Sequence, residues 1–153
     1  MLFRIHLSII YVCDSSMTVD TDTYVKTYLR DGDRWLQKRK TRVVRHSSDP
    51  EYRQTLRYSA CDVLGRSLLV MLWERQKGFE HNQGLGGAEV ALDKIQLTHL
   101  TIGWYPLFPI HSLGSDSNDS PWHIPPLTIF YLTVTFLVLV RTQMGWYPPF
   151  VLT

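Results

Sequence analysis

The sequence predicts an all-β protein folded as an antiparallel β-sandwich of about seven or eight strands. Apolar and polar residues alternate with a period of two, and turn-forming residues interrupt this alternation at spacings of about ten residues. The chain has 153 residues with 44% apolar content, which is enough for one ordinary hydrophobic core. We therefore expect a single folded domain.

The predicted strands of the first half are half-buried, with one apolar face and one polar face. Residues 3 to 12 contain the alternating segment "IHLSI", and "TYVKTYLR" alternates Val25 and Leu29 against Lys26 and Arg30. The "DGD" that follows is the Asp-Gly signal of a tight hairpin. The basic stretch "KRKTRVVR" is the next predicted strand, and "YRQTLRYS" repeats the alternation in a further one.

The second half begins with a strand that is apolar on both faces, "SLLVMLW" at residues 67 to 73, as expected at the centre of a sheet. "LGGAEVAL" and "IGWYPLF" predict two more strands, joined by a candidate short helix at "LDKIQLTHL". Trp73, Trp104 and Tyr105 are expected in the core, where large aromatic side chains bury the most area.

A change of composition sets the predicted domain boundaries. We expect the sandwich over residues 3 to 112, a polar and proline-containing linker over residues 113 to 126, and a hydrophobic tail without specified structure over residues 127 to 153. Residues 127 to 140 carry no charge but are fewer than the roughly 20 residues of a membrane-spanning helix. An extra strand, an aggregation-prone tail and a membrane anchor all stay open for this run.

Several classes of function find no support in the residue content. Cys13 and Cys61 have no CxxC spacing and no histidine cluster, so neither a disulfide framework nor a zinc site is expected. "HSSD" lies in a turn before Pro50, whereas catalytic triads are assembled from residues distant in the sequence. The first residues, interrupted by Arg4 and Ser8, are not expected to be a signal peptide. We expect a cytoplasmic protein that is not an enzyme and has no cofactor.

Positive charge is concentrated in one segment. The formal net charge is only +2, yet residues 26 to 57 carry ten cations against four acids. Because successive side chains of a strand point to opposite faces, the hairpin collects five cations on one surface: Lys26, Arg30, Lys38, Lys40 and Arg42. This surface is interpreted as a charged edge that prevents aggregation, a nucleic-acid patch, or a site for anionic lipid headgroups. Nucleic acid is not expected, because no aromatic stacking platform accompanies the charge.

These segments, taken in order, resemble a C2 domain. "TDTYVKTYLRDG", "KRKTRVVRHSSDPEYRQTLRY" and "SLLVMLWE" correspond to the family's early strand, its polybasic strand with the following turn, and its central strand. Within that family, "GLGGAEVALDKIQL" and "IGWYPLFP" are most similar to the second, C-terminal C2 domain of the RIM active-zone proteins. A full C2 domain has two strands before Tyr24, whereas residues 3 to 12 offer only one, so an N-terminal strand is expected to be missing.

The resemblance implies a calcium-independent module that binds anionic phospholipids such as phosphatidylinositol bisphosphate. It also implies liprin-type presynaptic scaffold partners and a peripheral membrane location at the presynaptic active zone, in vesicle priming and exocytosis. Lipid binding is expected from six residues: Lys26, Arg30, Lys38, Arg39, Lys40 and Arg42. A pure protein-protein interaction module and a protein anchored by residues 127 to 140 are the alternatives.

The resemblance also indicates where calcium ligands would lie. Calcium-binding members use about five aspartates on two loops, because Ca²⁺ requires six to eight oxygen ligands. The corresponding positions in this chain are occupied by Ser16, Asp22, Glu74, Gln76 and Asn82. Since only two of them are acids and Arg75 and Lys77 add positive charge, no metal binding is expected.

Overall fold

The computed structural model describes residues 2–11, 21–47, 50–78, 81–95, 101–110, 130–142 and 145–147. The strands are β1 (Leu2–Tyr11), β2 (Thr21–Asp31), β3 (Arg34–Lys40), β4 (Val44–Ser47), β5 (Gln54–Ser59), β6 (Ser67–Glu74), β7 (Gln83–Ala91), β8 (Thr101–Pro106), β9 (Phe130–Thr142) and β10 (Gly145–Tyr147). A short helix α1 (Ala60–Val63) follows β5, and a 3-10 turn (Leu92–Lys94) follows β7.

The strands form two five-stranded sheets with antiparallel pairing. The first has the order β10-β9-β1-β5, with β8 also paired to β9, and the second has the order β3-β2-β6-β7, with β4 also paired to β2. The core contains Leu56 and Tyr58 from the first sheet together with Val25, Leu29 and Leu68 from the second. The predicted all-β antiparallel sandwich is confirmed.

Strand β2 shows how the alternation builds both the core and the outer surface. Val25, Thr27 and Leu29 are fully buried, whereas Lys26, which lies among them in the sequence, is partly exposed on the opposite face. The Thr27 hydroxyl bonds to the hydroxyl of Tyr58 in the other sheet. Because each buried hydroxyl has a partner, these polar groups are buried at little cost.

The buried tyrosines predict a loss of stability at alkaline pH. Burial raises the pKa of Tyr58 to about 12, above the value near 10.0 of an unfolded tyrosine, and it also raises the pKa of Tyr52. The unfolded state therefore loses its protons first, so the stabilisation is complete below about pH 10 and declines as the pH rises toward 12. We expect Tyr58 alone to contribute a decline of about 2 to 3 kcal/mol in the free energy of unfolding.

Urea unfolding at about pH 9 and about pH 11 measures about half of this decline, roughly 1.3 kcal/mol, because pH 11 is still below the pKa of folded Tyr58. In Tyr58→Phe, the free energy of unfolding is expected to depend less steeply on pH than in the parent. Equal pH dependence in the two proteins would contradict the assignment of the decline to Tyr58.

The basic stretch is divided between two strands. After the turn at Gly32, whose φ of 55° suits glycine, β3 pairs with β2 and ends at Lys40. Thr41 is then buried: its N–H donates to the Val25 carbonyl at 2.9 Å, and its Oγ1 accepts the Val25 N–H at 2.9 Å. The Thr41 side chain, rather than a backbone carbonyl, accepts the Val25 N–H, so the pairing of β3 with β2 ends here. The next strand that pairs with β2 is β4. The single continuous strand predicted through this stretch is therefore wrong.

The apolar run near the C-terminus forms a strand inside the first sheet. β9 pairs with β1 over ten residues, from Leu2 opposite Leu139 to Tyr11 opposite Phe130. On its other side it pairs with β8 over six residues. The sequence allows an extra strand, an aggregation-prone tail or a membrane anchor for this run, and the structure shows the extra strand. The expected end of the sandwich at residue 112 is therefore wrong, since an uncharged apolar run is suited to a central strand.

The connections are described only in part. The candidate short helix is a 3-10 turn at Leu92–Lys94, and residues 96 to 100 lie outside the described residues, as does the predicted linker at 113 to 126. Within the described ranges, no helix combines the length and apolar character needed to cross a membrane.

Candidate functional site: a basic groove on the second sheet

Strand pairing places three lysines of β2 and β3 on one face of the second sheet. Lys26 lies opposite Lys40, and Tyr28 lies opposite Lys38. Directly paired residues of neighbouring strands point to the same side. Since Val25 and the other core residues of β2 point the other way, these lysines share the outer face, as the sequence predicts.

This face contains an open groove of about 670 Å³. The groove is lined by Tyr24, Lys26, Lys38, Arg39, Lys40, Thr41, Val43, Arg75 and Asn82. None of these lining residues is acidic, and the ion pairs found among the described residues involve Arg30, His46, Arg53 and Arg66 but no lysine of the groove. The groove therefore presents uncompensated positive charge, and a concave surface of one sign concentrates ions of the other sign.

Lys26 is held in the groove by aromatic rings. Its Nζ lies 3.8 Å from the centroid of the Trp73 ring and 5.5 Å from that of the Tyr24 ring. A cation at these distances is attracted to the negative face of the ring. Trp73 lies opposite Tyr24 on the neighbouring strand, so it belongs to the groove face, and the expectation that it lies in the core is wrong. Its Nε1 is buried without a hydrogen-bond acceptor among the described residues.

Of the other predicted lipid-binding residues, Arg39 lines the groove and Arg30 and Arg42 do not. The guanidinium carbon of Arg39 is 5.8 Å from the ring centroid of the buried Tyr58, although Arg39 also lines the groove. Arg42 is exposed but lines a neighbouring depression. Arg30 forms an ion pair with Asp33 at 3.3 Å near the hairpin turn. The structure therefore places four of the six predicted residues, Lys26, Lys38, Arg39 and Lys40, along the groove.

Arg75 is a groove residue that the sequence did not indicate as a binding residue. It follows β6, and its backbone N–H donates to the carbonyl of Asp22 at 2.7 Å. This bond holds the start of the loop beside β2 and places Arg75 along the groove wall. No local signal could have identified it, because Arg75 is far from the basic strand in the sequence and meets it only through the pairing of β2 with β6.

Two of the five positions expected to correspond to calcium ligands, Asp22 and Asn82, accept hydrogen bonds from backbone N–H groups within the protein. Asp22 Oδ1 accepts the backbone N–H of His46 at 3.1 Å, and Asn82 Oδ1 accepts that of Gln76 at 3.2 Å. Ser16 lies outside the described residues. Within the part of the chain that is described, no group of three or more His, Cys, Asp or Glu side chains is placed to hold a metal ion. The depression that contains Asp22 is also lined by cations: Arg45, Arg75 and Lys77.

Comparison of the sequence with known families and proteins gives consistent matches. The family described as "C2 domain" matches residues 8–107. Regulating synaptic membrane exocytosis protein 4 of Homo sapiens is 39% identical over 90 residues, which cover 59% of this chain and 33% of that protein. Regulating synaptic membrane exocytosis protein 2 of Mus musculus is 37% identical over 90 residues, covering 59% of this chain and 6% of that protein. The chain therefore matches only a third or less of the length of these relatives.

Solved structures share the fold at low sequence identity. A C2 domain of plant Extended Synaptotagmin 1 has a TM-score of 0.64 at 14% identity, with 88% of this chain and 91% of that chain covered. Human GIVD cytosolic phospholipase A2 has a TM-score of 0.61 at 11% identity, with 88% of this chain but only 16% of that chain covered. At this level of identity the likeness concerns the sandwich itself.

Proposed function

This chain belongs to the C2 domain family, and from that premise we propose that it is a calcium-independent, non-catalytic module that binds anionic phospholipid membranes. The observation that carries the proposal is the basic groove, where Lys26, Lys38, Lys40 and Arg75 converge and none of the lining residues is acidic. The similarity to proteins named for regulating synaptic membrane exocytosis supports a task at membranes.

The expected strength of binding limits the choice of lipid. A basic residue near an anionic leaflet contributes about 1 kcal/mol, so four of them contribute about 4 kcal/mol, which corresponds to a dissociation constant of about 1 mM. A diffuse layer of singly charged lipids would therefore hold the domain weakly. A headgroup that carries several phosphates meets the same cations at one point, so we propose a phosphoinositide such as phosphatidylinositol bisphosphate as the preferred ligand.

The side chains of the groove suit such a headgroup. Lysine ammonium groups act as compact point charges with three donors each, whereas the planar guanidinium of Arg75 can grip one phosphate through two parallel bonds. Lys26 is already positioned by Trp73 and Tyr24, which reduces the side-chain entropy that it loses on binding. The groove is open rather than enclosed, as binding of a headgroup that stays attached to a membrane requires.

We expect binding to be independent of calcium. Asp22 and Asn82 are occupied by bonds to backbone N–H groups, and the surrounding cations already supply the positive charge that Ca²⁺ would bring. Co-sedimentation of the full chain with vesicles of phosphatidylcholine and a few per cent phosphatidylinositol bisphosphate, in EGTA and in calcium, should give equal bound fractions. Sedimentation that requires calcium would contradict this part of the proposal.

Salt separates lipid binding from the alternative of a pure protein-protein interaction module. Binding that depends on the groove should weaken strongly as the ionic strength rises, because the charges lie at an open surface. The same sedimentation repeated at low and high salt measures this. If the chain sediments with these vesicles at neither salt concentration, the proposal is wrong and the groove serves a protein partner or solubility.

The proposal also includes a cellular location and protein partners. The similarity to RIM proteins supports a peripheral membrane location at the presynaptic active zone, with liprin-type scaffolds as partners in vesicle priming. Attachment within such a scaffold would raise the effective concentration at the membrane and compensate for the weak affinity of one domain.

A further inference from the structure

We propose that the end of the domain formed by Trp35, Leu36 and Leu64, here called the apolar tip, inserts into the interfacial layer of the same anionic bilayer. This inference rests on the proposed function and adds a second contact to it. The first contact is electrostatic and involves the groove, whereas the second is apolar and fixes how the domain is tilted on the membrane.

The apolar tip collects the large hydrophobic side chains that are exposed among the residues whose burial the structure describes. Trp35 is 56% exposed, Leu36 is 39% exposed and Leu64 is 67% exposed. Trp35 follows the β2–β3 turn, and Leu36 is the extra residue of a bulge, since Arg30 pairs with Trp35 while the preceding Leu29 pairs with Gln37. The bulge interrupts the alternation, so consecutive apolar side chains can both reach the surface.

Two polar contacts bring Leu64 to the same end of the molecule. Leu64 lies in the turn between α1 and β6, and this turn is tied to the β2–β3 hairpin from both sides. The Gln37 Nε2 donates to Asp62 Oδ2 at 2.8 Å, and the Arg66 Nε donates to Asp31 Oδ2 at 3.3 Å. The apolar tip is therefore a composite of two connected segments, and these bonds fix their relative position.

The apolar tip is continuous with the basic groove. The rings of Trp35 and Tyr28 meet edge to face with centroids 5.4 Å apart, and the Lys38 Nζ lies 5.5 Å from the centroid of the Tyr28 ring. The guanidinium carbon of Arg30 lies 5.5 Å from the centroid of the Trp35 ring. The rings of Tyr28 and Trp35 therefore connect the headgroup site to the apolar tip on one face of the second sheet. Lys38 lies beside the first ring and Arg30 beside the second.

This chemistry fits a bilayer surface better than a protein pocket. Tryptophan is enriched at the level of the lipid headgroups, where its ring is apolar and its N–H stays in contact with water. Arg30, which lies beside the Trp35 ring and pairs with Asp33, can keep its charged group at the level of the headgroups while its stem covers apolar surface. A membrane that contacts Lys38 in the groove lies close to Trp35 as well, so one binding event can satisfy both contacts.

The test uses the full chain and two ligands. Vesicles of phosphatidylcholine, phosphatidylserine and a few per cent phosphatidylinositol bisphosphate measure membrane partitioning, and soluble inositol trisphosphate measures headgroup binding alone. We expect Trp35→Ala to lower the partition coefficient about tenfold, as removal of one buried large apolar side chain predicts, and to leave the affinity for inositol trisphosphate unchanged. Trp35→Phe should recover most of the partitioning.

Insertion is measured independently by including brominated phosphatidylcholine in the vesicles. Bromine quenches the fluorescence of a tryptophan in the bilayer, so the parent should be quenched more than Trp35→Phe. Equal quenching together with equal partitioning of Trp35→Ala and the parent would overturn the inference and leave the groove proposal standing. If inositol trisphosphate does not bind but partitioning still depends on Trp35, the groove proposal fails and the inserted tip stands.

The same variants test whether the apolar tip contacts another protein molecule instead of the membrane. If the parent self-associates in solution and Trp35→Ala is monomeric with unchanged partitioning, the tip is a contact between copies of the chain, and the inference is wrong. Leu64→Ser is a second variant at this end that disturbs no described hydrogen bond, and we expect it to lower the partition coefficient by a smaller factor than Trp35→Ala.

Discussion

The double variant Lys38→Glu/Lys40→Glu is expected to lose binding to phosphoinositide vesicles. Each reversal removes the attraction of one cation and adds a repulsion of similar size, so each costs about 2 kcal/mol near an anionic leaflet. The two together correspond to about 4 kcal/mol, or roughly a thousandfold lower affinity. Both side chains are exposed, so the variant should fold like the parent, and vesicle co-sedimentation measures the loss.

A matched control separates the position of the charge from its amount. Arg57→Glu/Lys94→Glu changes the net charge by the same amount at two exposed positions that do not line the groove. This control should lose much less affinity than the groove variant, because its charges lie farther from the membrane. Equal losses in the two double variants would show that binding depends on total charge, and the groove would then not be a site.

Truncation of the chain after residue 126 is expected to abolish cooperative unfolding. It removes β9, which pairs with β1 over ten residues and with β8 over six. Both partner strands would then expose the backbone N–H and C=O groups that now pair with β9. We expect the cost to exceed the roughly 5 to 15 kcal/mol by which a domain of this size is ordinarily stable. Thermal unfolding followed by circular dichroism measures the effect.

Truncation after residue 147 is the control, because it retains β9 and β10. This shorter deletion should unfold cooperatively at a temperature close to that of the full chain. If the chain that ends at residue 126 also unfolds cooperatively within a few degrees of the parent, β9 is not part of the stable sandwich.

The strands and the lysines of the groove could be predicted from the sequence because they depend on local information. Alternation predicts the faces of β2, and the Asp-Gly turn places β3 beside it, so the sequence alone predicts Lys26, Lys38 and Lys40 on one surface, as the strand pairing shows. A hairpin involves neighbours in the sequence, so its register follows from the position of the turn.

The remaining features depend on contacts between distant segments. Arg75 and Trp73 reach the groove only because β6 pairs with β2, and the basic stretch is divided because Thr41 bonds to the buried backbone of Val25. The sequence does not decide the structure of residues 127 to 140, because a run without charges has no periodicity that separates a buried strand from other apolar segments. The partners of β9, which are β1 and β8, are remote in sequence, so its place in the sheet could not be deduced locally.

The most direct test of the basic groove is an NMR titration of the full ¹⁵N-labelled chain with soluble inositol trisphosphate. The predicted result is a set of chemical-shift changes confined to the groove, at the amides of Lys26, Lys38, Lys40 and Arg75. The buried indole N–H of Trp73, which lies under Lys26, should shift with them. Shift changes that cluster on β5 instead, or no changes at concentrations that saturate ordinary phosphoinositide sites, would contradict the account.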